Sequence, residues 1–266
     1  GEVFLGGITA AYIGINWTFL PKPALYVACF VGAMVVAAAW ALIPAVLRAY
    51  YNVNEVCTTI LMNTVALYIT SYLVSGPMSA GTANAQSLPV TVRLYQFMKP
   101  SSVNVGIFIA AITVIVIIFM LQKSSWGYKI RTVGLNPTHA DYVGIDSKKV
   151  FVGAMMLSGM LGGMAGCIEV LGVHGYFLNN FATGLGSNGM LAALIVKNNM
   201  VSTPFMAFFL AVLKSGAMGM QQSTGVPKSL VDTITAVFII IATMETAFQF
   251  TKKRKKKTEE KKEDKA

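Results

Sequence analysis

Few side chains in this 266-residue chain have the type and spacing that chemistry needs. The two histidines, His139 and His174, stand far apart with no Cys or carboxylate at ligand spacing, so no metal is expected. Cys29, Cys57 and Cys167 are odd in number and sit in or beside apolar stretches, which argues against a disulfide framework. There is no G-x-x-x-x-G-K-S/T run, hence no P-loop. Gly184-Leu-Gly186-Ser-Asn-Gly189 does fit G-x-G-x-x-G, but no strand or βαβ unit precedes it. Those glycines read as a tight turn or a close helix approach. No Ser, His and carboxylate share one local unit, so neither covalent catalysis nor a bound cofactor is expected. What remains are isolated polar groups in apolar surroundings, where an ionisable side chain is costly and marks function by default. Glu169 lines a vestibule or pairs with a polar neighbour. Asn63, on a stretch that also carries Thr58 and Thr59, hydrogen-bonds a polar ligand or stitches two helices together. Lys214 and Glu245 show no relay pattern, and Glu245 is close enough to a helix end to snorkel.

The elements that hold these groups follow from composition. The chain is 55% hydrophobic and 12% charged, with mean hydropathy +0.62. Water does not dissolve such a surface, and a bilayer does. Because every backbone polar group in lipid must be satisfied within its own segment, the expected fold class is all-α, a polytopic membrane helical bundle. Spans are expected at Val3–Leu20, Leu25–Leu47, Val56–Val74, Val105–Leu121, Val150–Leu171, Phe205–Met220 and Leu230–Phe250. An eighth segment, Met190–Val196, is too short to cross unless its helix begins at Gly186 to Gly189 or it re-enters.

Lysine and arginine favour the cytoplasmic ends of short loops. Arg48, the cluster Lys123, Lys129, Arg131, Lys148 and Lys149, then Lys197 and the terminal tail fall on one side. That side reads as cytoplasmic, and both ends of the chain lie there. The long connector from Ser75 to Asn104 reads as external, with an interfacial helix expected at Leu94 to Met98. The formal charge is +10, and Lys252 to Lys265 alone carries nine basic against four acidic residues. Domain organisation is therefore a membrane domain over 1–251 and a basic tail over 252–266. The tail reads as solvated or in contact with anionic headgroups, and no nucleic-acid partner is expected.

One loop, Gln122 to Lys149, carries a shape. Asn136 suits an N-cap, Pro137 the first helical position and Gly144 the residue beyond the last turn. A stubby helix from Pro137 to Val143 follows, with Ala140 and Val143 three apart on one face and Tyr142 and Ile145 nearby. It is a packed connector or an apolar knob for a partner.

Trp126-Gly-Tyr-Lys-Ile-Arg-Thr-Val-Gly-Leu-Asn-Pro137, continuing through Ala140 to Val143-Gly144-Ile145, resembles the ATPase-coupling loop of ABC importer permeases of the simple-sugar, nucleoside and branched-chain amino-acid class. Asn54-Glu-Val-Cys-Thr-Thr-Ile-Leu-Met-Asn63 resembles a motif of the nucleoside-type members. The span from Ser158 to Gly175, with Gly159, Gly162, Gly163 and Gly166, is similar to the family's small-residue span. The resemblance implies a permease subunit that is not itself an enzyme and that works by alternating access. It implies as partners a cytoplasmic ABC ATPase, a second permease subunit and an extracytoplasmic substrate-binding protein, in a bacterial cytoplasmic membrane. It implies Trp126, Gly127, Arg131, Gly134, Asn136, Pro137, Ala140, Val143, Gly144 and Ile145 as the ATPase-coupling set. Purine nucleosides lead as cargo, with ribose-like sugars or a flavin behind, and an ion-coupled secondary transporter is the rival mechanism. Family members generally begin with further membrane segments, which are expected here before Gly1. After the short segment they show a small residue and a proline, where this chain has Val196-Lys-Asn-Asn-Met-Val201.

Overall fold

Apolar runs of bilayer length fold as helices in a computed structural model, and two of them start at side-chain caps, Asn54 and Asp146. The structure describes residues 1–81, 85–97 and 103–224, with Ser229, Leu230, Thr233, Ala236 and Val237. The last expected span and the tail 252–266 otherwise lie outside the described residues. Two compact units result, Gly1–Thr183 and Gly184–Ala266.

In the first unit, α1 (Glu2–Asn16), α2 (Lys22–Tyr51), α3 (Glu55–Ser75), α4 (Gly106–Lys123), α5 (Ser125–Leu135), α6 (Pro137–Tyr142) and α7 (Ser147–Ile168) follow in order. A π-helical turn, Glu169–His174, continues α7. The second unit holds α8 (Leu185–Ile195) and α9 (Ser202–Thr224), which pack on each other. Among the described residues there are isolated bridges and no named strand. Among the described residues, five helices are long and apolar enough to span: α2, α3, α4, α7 with its π turn, and α9.

Helix α1 stops at Asn16, short of the expected Leu20, and its 15 residues rise about 22 Å. It lacks the length to cross by itself, and it is buried on almost every side by protein. The short segment starts earlier than Met190: α8 begins at Leu185, with Gly184 at φ +83° before it. Its 11 residues rise only about 16 Å, half of a bilayer core.

The tightest packing joins α1, α2 and α7, and small residues allow it. Gly159 and Gly163 face α2, where Ala33, Ala37 and Ala41 recur every fourth residue. A Cβ on Gly159 would meet Ala41 Cβ at 2.6 Å, and one on Gly163 would meet Ala37 Cβ at 2.6 Å. Gly162 and Gly166 face α1 instead, against Glu2 and Gly7. The four glycines thus serve two neighbours, one on each side of α7.

Residues 86–97 of the connector between α3 and α4 run extended along the core, with Val90, Val92 and Leu94 buried and Thr91, Arg93 and Tyr95 exposed between them, so the helix expected from Leu94 does not form over the described residues. Backbone donors on this strap satisfy carbonyls beside the π turn: Leu94 N–H to Leu171 O at 2.9 Å, Val90 N–H to Gly175 O at 2.9 Å, and Ser87 N–H to Phe177 O at 2.9 Å. Arg93 donates to the His174 carbonyl, and Thr91 Oγ1 to Gly14 O at 2.6 Å.

A candidate coupling loop and an inner cavity

The segment Gln122 to Lys149 is mostly helix. Ser124 starts α5 by accepting from Gly127 N–H at 3.1 Å, while its own hydroxyl donates back to Met120 O at 2.6 Å. The chain reverses here so sharply that Gly127 is needed: a Cβ would come 2.5 Å from the Met120 carbonyl oxygen. Arg131 donates to Gln122 O at 3.3 Å, which ties the far side of α5 to the end of α4. Trp126 lies on α7 at Gly153. Gly134 has open space around it, so close packing does not require glycine there.

Asn136 caps α6 by accepting from His139 N–H at 3.1 Å, and Pro137 takes the first position, whose N–H has no helical partner anyway. Gly144 ends the turn at φ +82°, a conformation that favours glycine. Ile145 N–H reaches back to Ala140 O at 2.9 Å. Asp141 then grips the start of α7, accepting from Ser147 N–H and Ser147 Oγ, each at 3.0 Å. Asp146 caps α7 through Lys149 N–H at 3.0 Å, a bond that holds its carboxyl below the usual carboxylate range.

Ala140 does not share an exposed face with Val143. It is fully buried, because the reversal through Gly144 folds Ile145 back against it. The apolar groups the loop presents outward are Tyr128 (58% exposed), Leu135 (89%), Tyr142 (87%) and Val143 (61%).

A cavity of about 340 Å³ lies between α1, α2, α3 and α7, lined by Gly1, Glu2, Trp40, Pro44, Thr59, Met62, Asn63, Met155 and Ser158. Asn63 Oδ1 sits 2.5 Å from the Gly1 nitrogen. Glu169 is not among these walls; it opens the π turn toward the other end of α7. The two polar groups singled out in the sequence are therefore not brought together. Two wall residues were not legible as functional. The indole N–H of Trp40 is buried without a hydrogen-bond partner. Pro44, one turn later, has no N–H for the Trp40 carbonyl. A proline four residues after a tryptophan inside an apolar run was the available signal.

Near the same ends of the helices, Arg48 and Glu55 pair at 2.9 Å across the turn from α2 to α3, and Lys148 Nζ stands 5.5 Å from the Tyr50 ring centre. Nothing in these arrangements makes or breaks a covalent bond.

The described chain is thus a helical membrane bundle with a capped loop held to a spanning helix. The chain belongs to the branched-chain amino acid transport system / permease component family, which it matches over residues 1–243. It is similar to the guanosine ABC transporter permease protein NupP of Bacillus subtilis, 31% identical over 97% of this chain and 75% of that protein. It is similar as well to the glucose ABC transporter permease protein TsgB13 of Haloferax volcanii, 32% identical over 90% and 66%, respectively. The nucleoside ABC transporter permease protein NupB of Lactococcus lactis is 27% identical over 90% and 69%. No solved structure matches the chain. It is a multi-pass membrane permease of the ABC sugar and nucleoside class, and the permease subunits it resembles are not themselves enzymes.

Proposed function

We propose that this chain forms the translocation path of an ATP-driven importer for nucleosides, with purine nucleosides favoured. The observation that carries the reading is the cavity at Trp40 and Asn63. The Trp40 indole supplies apolar contact for a flat heterocycle, while the Asn63 amide, Thr59 and Ser158 supply donors and acceptors. The names of the guanosine and nucleoside relatives support the same cargo. A sugar is the second reading, because the glucose relative is as similar and a sugar would use the polar groups without the ring.

In this mechanism a separate ABC ATPase closes on ATP, and α6 carries that motion through Asp141 and Ser147 into α7. A second permease subunit completes the path, and an extracytoplasmic binding protein delivers the cargo. The membrane domain spans 1–251 with its tail at 252–266, and both ends face the cytoplasm of a bacterial cell.

Reconstitution of the whole transporter in liposomes, with its binding protein, tests this. Uptake of labelled guanosine is expected with ATP and not with an ion gradient alone. Gradient-driven uptake would place the protein among secondary transporters, and uptake of glucose in preference to guanosine would select the sugar reading.

A further inference from the structure

Helix α4 is the least protected span, with only Gly106 buried along its length. Its outward residues recur at helical spacing: Ile112, Ile115 with Val116, then Phe119, all more than half exposed. The next step along that stripe reaches Gln122 and Lys123, which enter an open groove of about 510 Å³. The walls of this groove include Lys123, Lys129 and Arg131, with Tyr128, Val143 and Ile145 giving it an apolar side. From Ile112 to Lys123 the helix rises about 16 Å, the depth of one leaflet's hydrocarbon.

Among the described residues, no carboxylate forms a salt bridge with the cations of the groove. Segment 122–135 contains these three cations and no carboxylate. The nearest acids on the connector are engaged elsewhere, Asp141 on Ser147 and Asp146 on Lys149. Arg131 spends one N–H on the Gln122 carbonyl and keeps four more donors.

We propose that this groove binds the phosphate headgroup of one anionic glycerophospholipid, whose acyl chains lie along the Ile112–Phe119 stripe. The stripe supplies the apolar contact and the three cations select negative charge at the membrane surface. The site is separate from the cavity at Asn63, and it does not depend on which cargo is carried. Bound there, the lipid sits beside the Ser124 reversal that links α4 to α5, and so to the proposed coupling element.

The test places the assembled transporter in nanodiscs of phosphatidylcholine doped with phosphatidylglycerol and counts retained lipids by native mass spectrometry of the released permease. Wild type should hold phosphatidylglycerol in preference to phosphatidylcholine, with the preference falling as salt is raised. The triple variant Lys123→Gln, Lys129→Gln, Arg131→Gln should lose about tenfold or more of that retention. Lys129→Gln alone, a change at a solvent-facing site, should lose part of it, while Lys22→Gln at the start of α2 should lose none. Equal retention by wild type and the triple variant would overturn the proposal, as would an equal fall in the Lys22 control. Loss of the copurifying ATPase with lipid retention intact would assign the groove to a protein partner instead, and would overturn it too.

Discussion

The ring of Trp126 lies directly on Gly153, so close that a Cβ at that position would stand 2.6 Å from Trp126 Cζ2. One aromatic side chain on α5 thereby fixes the helix to α7 at a point where α7 has no side chain to give way.

Substituting Gly153→Val should force the ring off and cost about 1–3 kcal/mol, the usual penalty for overpacking. Trp126→Ala should leave the bundle folded and loosen α5 instead. In both variants ATP hydrolysis by the assembled transporter should continue while uptake falls, a ratio that paired hydrolysis and uptake assays measure directly.

The outward groups of the loop make a sharper test of docking than Ala140. Tyr142→Asp with Val143→Asp should abolish copurification of the ATPase with no change in helix content. Ala140→Asp should lower the melting temperature, because an unpaired carboxylate would enter a fully buried position. If the double variant still copurifies, the docking surface lies elsewhere.

Asn136→Ala removes the side chain that accepts from His139 N–H and should cost about 1 kcal/mol of local stability. Hydrogen exchange at the first amides of α6 should accelerate accordingly, whereas α5 protection should stay at the wild-type level. Asn136→Asp should restore the slower exchange.

Trp40→Ala removes the ring that walls the cavity. For a flat heterocyclic cargo, the half-saturating concentration in uptake should rise several-fold, equivalent to about 1 kcal/mol. Asn63→Leu should have a similar or larger effect, while Glu169→Gln, away from the cavity, should leave that concentration unchanged.

On α7, Gly163→Leu should prevent the approach to Ala37, and Gly162→Ala should be milder, since its nearest neighbour would be 3.1 Å away. Yield of monodisperse protein after extraction reads that difference.

Helix existence was legible wherever apolar length alone decides it, as in α2, α3, α4 and α7. The cap at Asn136 carries its own chemistry, so α6 starts at Pro137 as expected, whereas α3 starts one residue before the expected Val56 and α7 three before Val150, behind caps at Asn54 and Asp146 that apolar length alone does not mark. Helix α5 was missed because Gly127 and Gly134 break its apolar pattern, and only the reversal against Met120 explains the first of them. The burial of Ala140 and the strap at 86–97 depend on contacts with residues far along the chain, which no local spacing encodes. Nor does local spacing tell that Asn63 lines a cavity while Glu169 opens the π turn farther along α7.

The buried strap has a practical consequence for topology mapping. By composition, the connector between α3 and α4 is the natural place to insert an epitope or a cleavage site. Within 86–97 such an insertion would displace Val90, Val92 and Leu94 from the core and strip the carbonyls beside the π turn of their donors. Gly81, at φ +69° with open space around it, is where a tag should be accepted without unfolding the permease.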